Sequence, residues 1–294
     1  MVTERFLEHR KPYAAVETLA LYADRAVPRV PAALISRALK EAGTSPPAER
    51  VDLALFGHGV VELLDRLYEH DEVDEHILAE LEWLFLYVLE QQGRSPRVMH
   101  RELSRSPGLF AEVVDLVYQP DSGEEPDLSE AELQRVLQAD ELLRNWHIVP
   151  GTTEEGALDQ GKLDAWVSEA RVATTARGRA RSADRCIGRV LAASPEGADG
   201  AWPHEAVRTV IDRLDSDDVD EAFRSQVINS RGVYSKGYLE GGGEEREMAE
   251  KYRSFADASS FRWPRTAAVL EEVAEIYDSW ALRRDAEAEL REDS

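Results

Sequence analysis

Apolar residues recur along this chain at three- and four-residue spacing, in blocks set apart by proline, glycine and short polar runs. That period belongs to amphipathic helices, and no long alternating β-branched run competes with it. The first block, Tyr13 to Ala26, places Ala14, Ala15, Leu19, Ala20 and Tyr22 at helical spacing. Pro28 and Pro31 interrupt it, with Pro31 suited to a first helical position. Leu34, Ile35, Ala38 and Leu39 then share a face, and Gly43 reads as the C-cap of that helix. From Asp52 onward Phe56, Val60, Leu63, Leu64 and Leu67 make the next stripe.

The densest block runs from Trp83 to Leu89, after Ile77, Leu78 and Leu81, and stops at Gly93. A helix apolar on all sides must be enclosed by other helices. It is too short for a membrane span, which needs about 20 apolar residues, and Glu80, Glu82 and Glu90 flank it. The pattern therefore predicts one central core helix with Leu84, Leu86 and Val88 buried.

Two helix starts follow with the same chemistry, Ser95-Pro96 and Ser106-Pro107, each a side-chain cap followed by a proline that needs no N–H partner. Gln119 to Asp127 is polar and broken by two prolines, which marks a linker. Ser129 and Glu132 form a capping box for a helix through Leu142 and Leu143. After a break at Pro150 to Gly156, helices are expected at 158–176, 180–193, 205–214, 219–228, 244–258 and 264–289, the last projecting or fraying beyond Leu282. The expected fold is all-α, an irregular antiparallel, solenoid-like stack of roughly a dozen helices without a strict repeat. A soft boundary near residue 122 separates residues 1–121 from 122–294, unless the stack is continuous.

Composition narrows the chemistry. The formal charge of −23 over 294 residues repels phosphate backbones, which disfavours general nucleic-acid binding. One cysteine, Cys186, excludes an internal disulfide and fits a reducing, cytoplasmic setting. Met1 to Lys11 is charged and without an apolar centre, so no signal peptide is expected there.

Most candidate motifs fail on spacing. His70 and His76 lie in an acidic run, but metal ligands on a helix need intervals of about three or four residues. Asp215 to Asp220 opens like a calcium loop, yet Asp220 stands where glycine is required and Gln226 where a bidentate glutamate is required. Gly241 to Gly243 precedes a helix, but Glu244 and Glu245 compete with any anion at its N-terminus. No metal, no cofactor and no catalytic residue is assigned.

Two features remain. Arg171, Arg177, Arg179, Arg181, Arg185 and Arg189 form a positive segment with Asp184 as its single acid. It either pairs with the protein's own acidic helices, the commoner outcome, or receives an anion. The segment from Asn229 to Gly237 is rich in donors: Arg231 is a planar fork, Lys236 a mobile charge, and Tyr234 an uncharged donor. Its structural alternative is a turn capped by Asn229, with Gly232 and Gly237 at positive φ.

Trp146-His147, Pro150-Gly151, Trp202-Pro203, Asn229 to Gly232, Glu240 to Gly242 and Trp263-Pro264, with the openings at Lys11 to Leu19 and His100 to Leu103, resemble the helical C-terminal region of large uncharacterised bacterial proteins. The resemblance implies a bacterial origin and a helical accessory or sensor region, and brings no catalytic residues with it. The function expected is thus a non-catalytic scaffold or sensor that binds another protein or another part of a larger assembly. The alternative is an anion- or nucleotide-binding protein, or an enzyme, using Asn229, Arg231, Tyr234 and Lys236 with Arg177, Arg179 and Arg181.

Overall fold

The structure is a computed structural model that describes residues 2–22, 30–46, 52–70, 72–120, 128–153, 155–230 and 242–292. Among them fifteen helices form, and beyond one isolated bridge between Thr152 and Leu158 there is no β-structure. The first eight are α1 (Val2–Glu8), α2 (Pro12–Tyr22), α3 (Ala32–Thr44), α4 (Leu53–Tyr68), α5 (Glu75–Leu84), α6 (Leu86–Gln91), α7 (Arg97–Arg105) and α8 (Pro107–Val117). Then come α9 (Glu130–Asn145), α10 (Gln160–Thr175), α11 (Ala180–Leu191), α12 (Glu205–Leu214), α13 (Asp217–Asn229), α14 (Gly243–Ser259) and α15 (Pro264–Glu292). The chain is an all-α helical stack, as the apolar period predicts. No helix among the described residues is long and apolar enough to cross a membrane.

Two compact units divide the chain, one of residues 1–102 with 129–145, the other of residues 103–128 with 146–294. The expected linker falls largely on residues 121–127, outside the described residues.

The first unit buries Val16, Leu39, Val60, Leu63, Leu64, Leu67 and Leu81, and Tyr13 packs its ring 4.9 Å from that of Phe56. The single core helix expected through Trp83–Leu89 is here two helices. α5 ends at Leu84, Phe85 adopts φ −117° and ψ 21°, and α6 starts at Leu86. Seven consecutive apolar residues cannot all face inward from one straight helix. The break turns Phe85, Leu86 and Leu89 into the core, leaves Leu84 and Val88 half-buried, and puts Tyr87 in solvent. Gly43 is also not the expected cap. It lies inside α3, where a Cβ would stand 2.9 Å from Leu84 Cβ, so glycine is what lets the α5–α6 break pack so closely. At α7 the cap is not Ser95: the buried Glu82 carboxylate accepts Val98 N–H at 3.0 Å and Met99 N–H at 2.7 Å. Ser106 does cap α8, and Ser129 with Glu132 closes the capping box of α9.

In the second unit Phe110, Trp146 and Trp166 form a triangle with ring centroids 5.0–5.6 Å apart. Both indole N–H groups are satisfied, Trp146 on Ser104 Oγ and Trp166 on Leu103 O. α14 and α15 form a helical hairpin in which Tyr252 stacks on Tyr277 at 5.7 Å. α15 stays helical for 29 residues, and Leu282 is 70% exposed on the stretch expected to project.

Candidate functional site

The turn between α12 and α13 gathers more charge than any local motif predicted. α12 ends with Asp215 in the left-handed region at φ 47°, Ser216 occupies the N-cap position, and Asp217, Asp218 and Asp220 fill the first turn of α13. Acids are favoured there, because the unpaired N–H groups of a helix start make it the positive end of the dipole. The segment fails as a calcium loop, and among the described residues no three His, Cys, Asp or Glu side chains are grouped as a metal needs. What it receives instead is arginine.

Arg265 binds Asp215, reaches Asp217 Oδ1 at 2.7 Å and stands 2.6 Å from Asp220 Oδ2. Its position is set by Asp212, whose carboxylate caps the start of α15 by accepting the N–H groups of Arg265 and Thr266 at 3.0 and 2.9 Å. On the same turn Asp218 accepts Arg181 at 3.2 Å and Arg185 at 3.0 Å. Burial works against ionisation, but those hydrogen bonds hold its carboxyl below the ordinary carboxylate range.

Beside this turn an open cleft lies between α13 and α15. Asp217, Asp220, Glu221 and Glu272 line it against Arg224 and Arg265, with Ala268 and Val269 as the apolar part. Arg224 is tied to Glu272. Four carboxylates against two guanidiniums leave the cleft acidic, and Asp215 and Asp217 extend that charge into solvent at 80% and 103% side-chain exposure. Asp220 differs from the rest: burial, opposed by Arg265 and assisted by Asp217 and Glu272, pushes its carboxyl up to about 6. A carboxyl perturbed toward neutrality in a cleft is a mark of functional sites, though ion-pair networks produce it too.

The arginine segment is internally paired, the outcome favoured at the sequence level. Arg171 grips Asp184 through two hydrogen bonds at 2.9 and 3.0 Å, and Ser216 adds a third at 2.7 Å. Arg179 meets Asp115 of α8 at 3.0 Å and donates to Tyr118 O, while Arg177 lies 4.0 Å from Asp115. Arg189 donates to Tyr118 Oη and Cys186 Sγ, each at 3.2 Å. Two of the three acids, Asp115 and Asp218, come from helices distant in sequence, which is why the segment looks unbalanced when read alone. Asn229 is the exposed last residue of α13. Arg231, Tyr234 and Lys236 lie outside the described residues.

No protein-family model matches this chain, and neither a curated protein nor a solved structure matches it.

Proposed function

We propose that this protein is a non-catalytic helical interaction module, working in the cytoplasm, that binds a protein partner through the cleft between α13 and α15. One observation carries the reading: four carboxylates line that cleft against two arginines, beside an apolar patch of Ala268 and Val269. A lysine or arginine from a basic segment matches it, its head among the carboxylates and its methylene stem on the apolar patch. Such complementarity acts mainly on specificity and association rate.

A labelled hexa-arginine peptide tests the site by fluorescence anisotropy on the full chain. Glu221 lines the cleft and is exposed, so Glu221→Lys should weaken binding by roughly tenfold with little change in melting temperature. Glu130→Lys on α9 makes the same change in net charge outside the cleft and should leave binding near wild type. Equal losses in both variants would mean that bulk charge, not the cleft, holds the peptide.

A second reading keeps a specific observation in its favour. Arg181 and Arg185 both bind Asp218 and are 68% and 54% exposed. The pair would receive an anionic small molecule. A thermal shift with phosphate-bearing compounds that disappears in Arg181→Ala would favour that reading over the acidic cleft.

A further inference from the structure

Arg208 of α12 heads the largest fully enclosed side chains of the described residues. Its guanidinium lies over Trp263, 4.2 Å from the ring centroid. Only Nη2 is bonded, to Asp199 Oδ1 at 2.8 Å and Oδ2 at 2.7 Å. Nε and Nη1 are buried and take part in no hydrogen bond, and neither does the buried Glu205 Oε2, which stands 3.9 Å from Nη2. A buried guanidinium is ordinarily matched along a fork, with two N–H groups on two oxygens. Here each fork is half used, and unpaired buried donors cost free energy that a purely structural ion pair would recover.

The partner is unusual as well. Asp199 is 47% exposed at its side chain and reaches inward from a surface loop to an arginine that is wholly enclosed. The loop holds its own shape. Gly197 N–H donates to Ala201 O at 2.8 Å and Trp202 Nε1–H to Ser194 O at 2.8 Å, whereas the Ala201 N–H bond to Asp199 Oδ1 at 3.1 Å is one the carboxylate gives up when it turns away. Gly197 brings backbone against the charged group: a Cβ there would lie 2.5 Å from Glu205 Oε2 and 2.8 Å from Arg208 Nη2. The arginine and its aromatic platform are therefore prebuilt on α12 and on the residue that precedes α15, and the carboxylate is brought to them separately.

We propose that Arg208 on Trp263 is a binding site for the carboxylate of a small molecule, which Asp199 occupies as an internal competitor. When Asp199 turns out to the solvent that already reaches half of it, Nη2 with Nε or with Nη1 presents a two-point fork. A monoanionic carboxylate fits better than phosphate, because Glu205 stands beside the fork and repels a second negative charge.

Acetate is the probe, titrated into the full chain at constant ionic strength with chloride as the balancing ion, and followed by the NMR signal of Arg208 Nε–H. Asp199→Ala should bind acetate saturably and roughly tenfold or more tightly than wild type, since the competitor is gone. The Arg208 signal should shift with the same midpoint, and phosphate should bind more weakly. Adding Arg208→Met should abolish the saturable response. If that double variant does not fold, the Arg208 signal in Asp199→Ala decides alone. A folded Asp199→Ala with no saturable shift at Arg208, or with the acetate affinity of wild type, overturns the proposal.

Discussion

Glu82 of α5 accepts the backbone N–H of Met99 at 2.7 Å, so a side chain from one helix caps the start of another that is distant in sequence. The carboxylate is fully enclosed and also takes Val98 N–H at 3.0 Å and the Tyr68 hydroxyl at 2.5 Å. Glu82→Ala leaves those donors buried without an acceptor. It should cost about 1–3 kcal/mol, the penalty for buried donors left unsatisfied. Glu82→Gln keeps one acceptor and should cost less. Urea denaturation of both variants checks the order, and a harmless alanine would mean the α7 donors find other partners.

Gly188 is where α11 meets α13. A Cβ at that position would lie 2.3 Å from Val219 O and 3.1 Å from Phe223 N, both backbone atoms that cannot rotate away. Gly188→Ala should therefore destabilise by about 1–3 kcal/mol through overpacking, despite alanine's better helix propensity. A melting temperature equal to or above wild type would show that the two helices can separate freely.

These two positions illustrate what the sequence reveals and what it hides. Periodicity shows where helices run, and local chemistry shows the Ser106 cap and the Ser129–Glu132 box, because those signals lie within one turn. The break at Phe85 is not visible that way: an unbroken apolar run reads as one helix, and the close approach of Leu84 to Gly43 that accommodates the break comes from tertiary packing. Glu82 looks like surface charge from its neighbours and is a buried cap. The arginine segment looks unpaired because Asp115 and Asp218 arrive from other helices. Asp215 to Asp220 was legible as a failed calcium loop, but not as the receptor for Arg265.

The two compact units interlace along the sequence, and that has a proteolytic consequence. α9 lies beyond residues 121–127 and packs with α6, whereas α8 lies before them and packs against α10. A chain nicked in that stretch should keep both fragments together in gel filtration under native conditions, since each unit uses a helix from the other fragment. Residues 1–121 expressed alone would lack α9, and residues 122–294 would lack α8, so both should melt less cooperatively than the nicked pair. Clean separation of two stable fragments after cleavage would contradict this.

Asp220 supplies the pH dependence. Its carboxyl is pushed from the ordinary 3.8 to about 6, by burial first; Arg265 opposes the shift, and Asp217 and Glu272 add to it. A raised acid pKa means that the folded protein holds a proton which the unfolded chain releases. The stability tied to this group is therefore complete below pH 3.8 and is lost as pH rises through about 6. The same deprotonation adds a negative charge to the cleft, so hexa-arginine binding should strengthen across that interval. Carboxyl-carbon NMR should place the Asp220 midpoint near 6. Asp217→Asn removes a repelling neighbour and should lower it, whereas Arg265→Met removes an attracting one and should raise it. In Asp220→Asn the rise in peptide affinity near pH 6 should vanish, while the weaker binding to Glu221 and Glu272 remains. A midpoint close to 3.8 would remove Asp220 from this role, because the cleft would then carry its full charge throughout the neutral range.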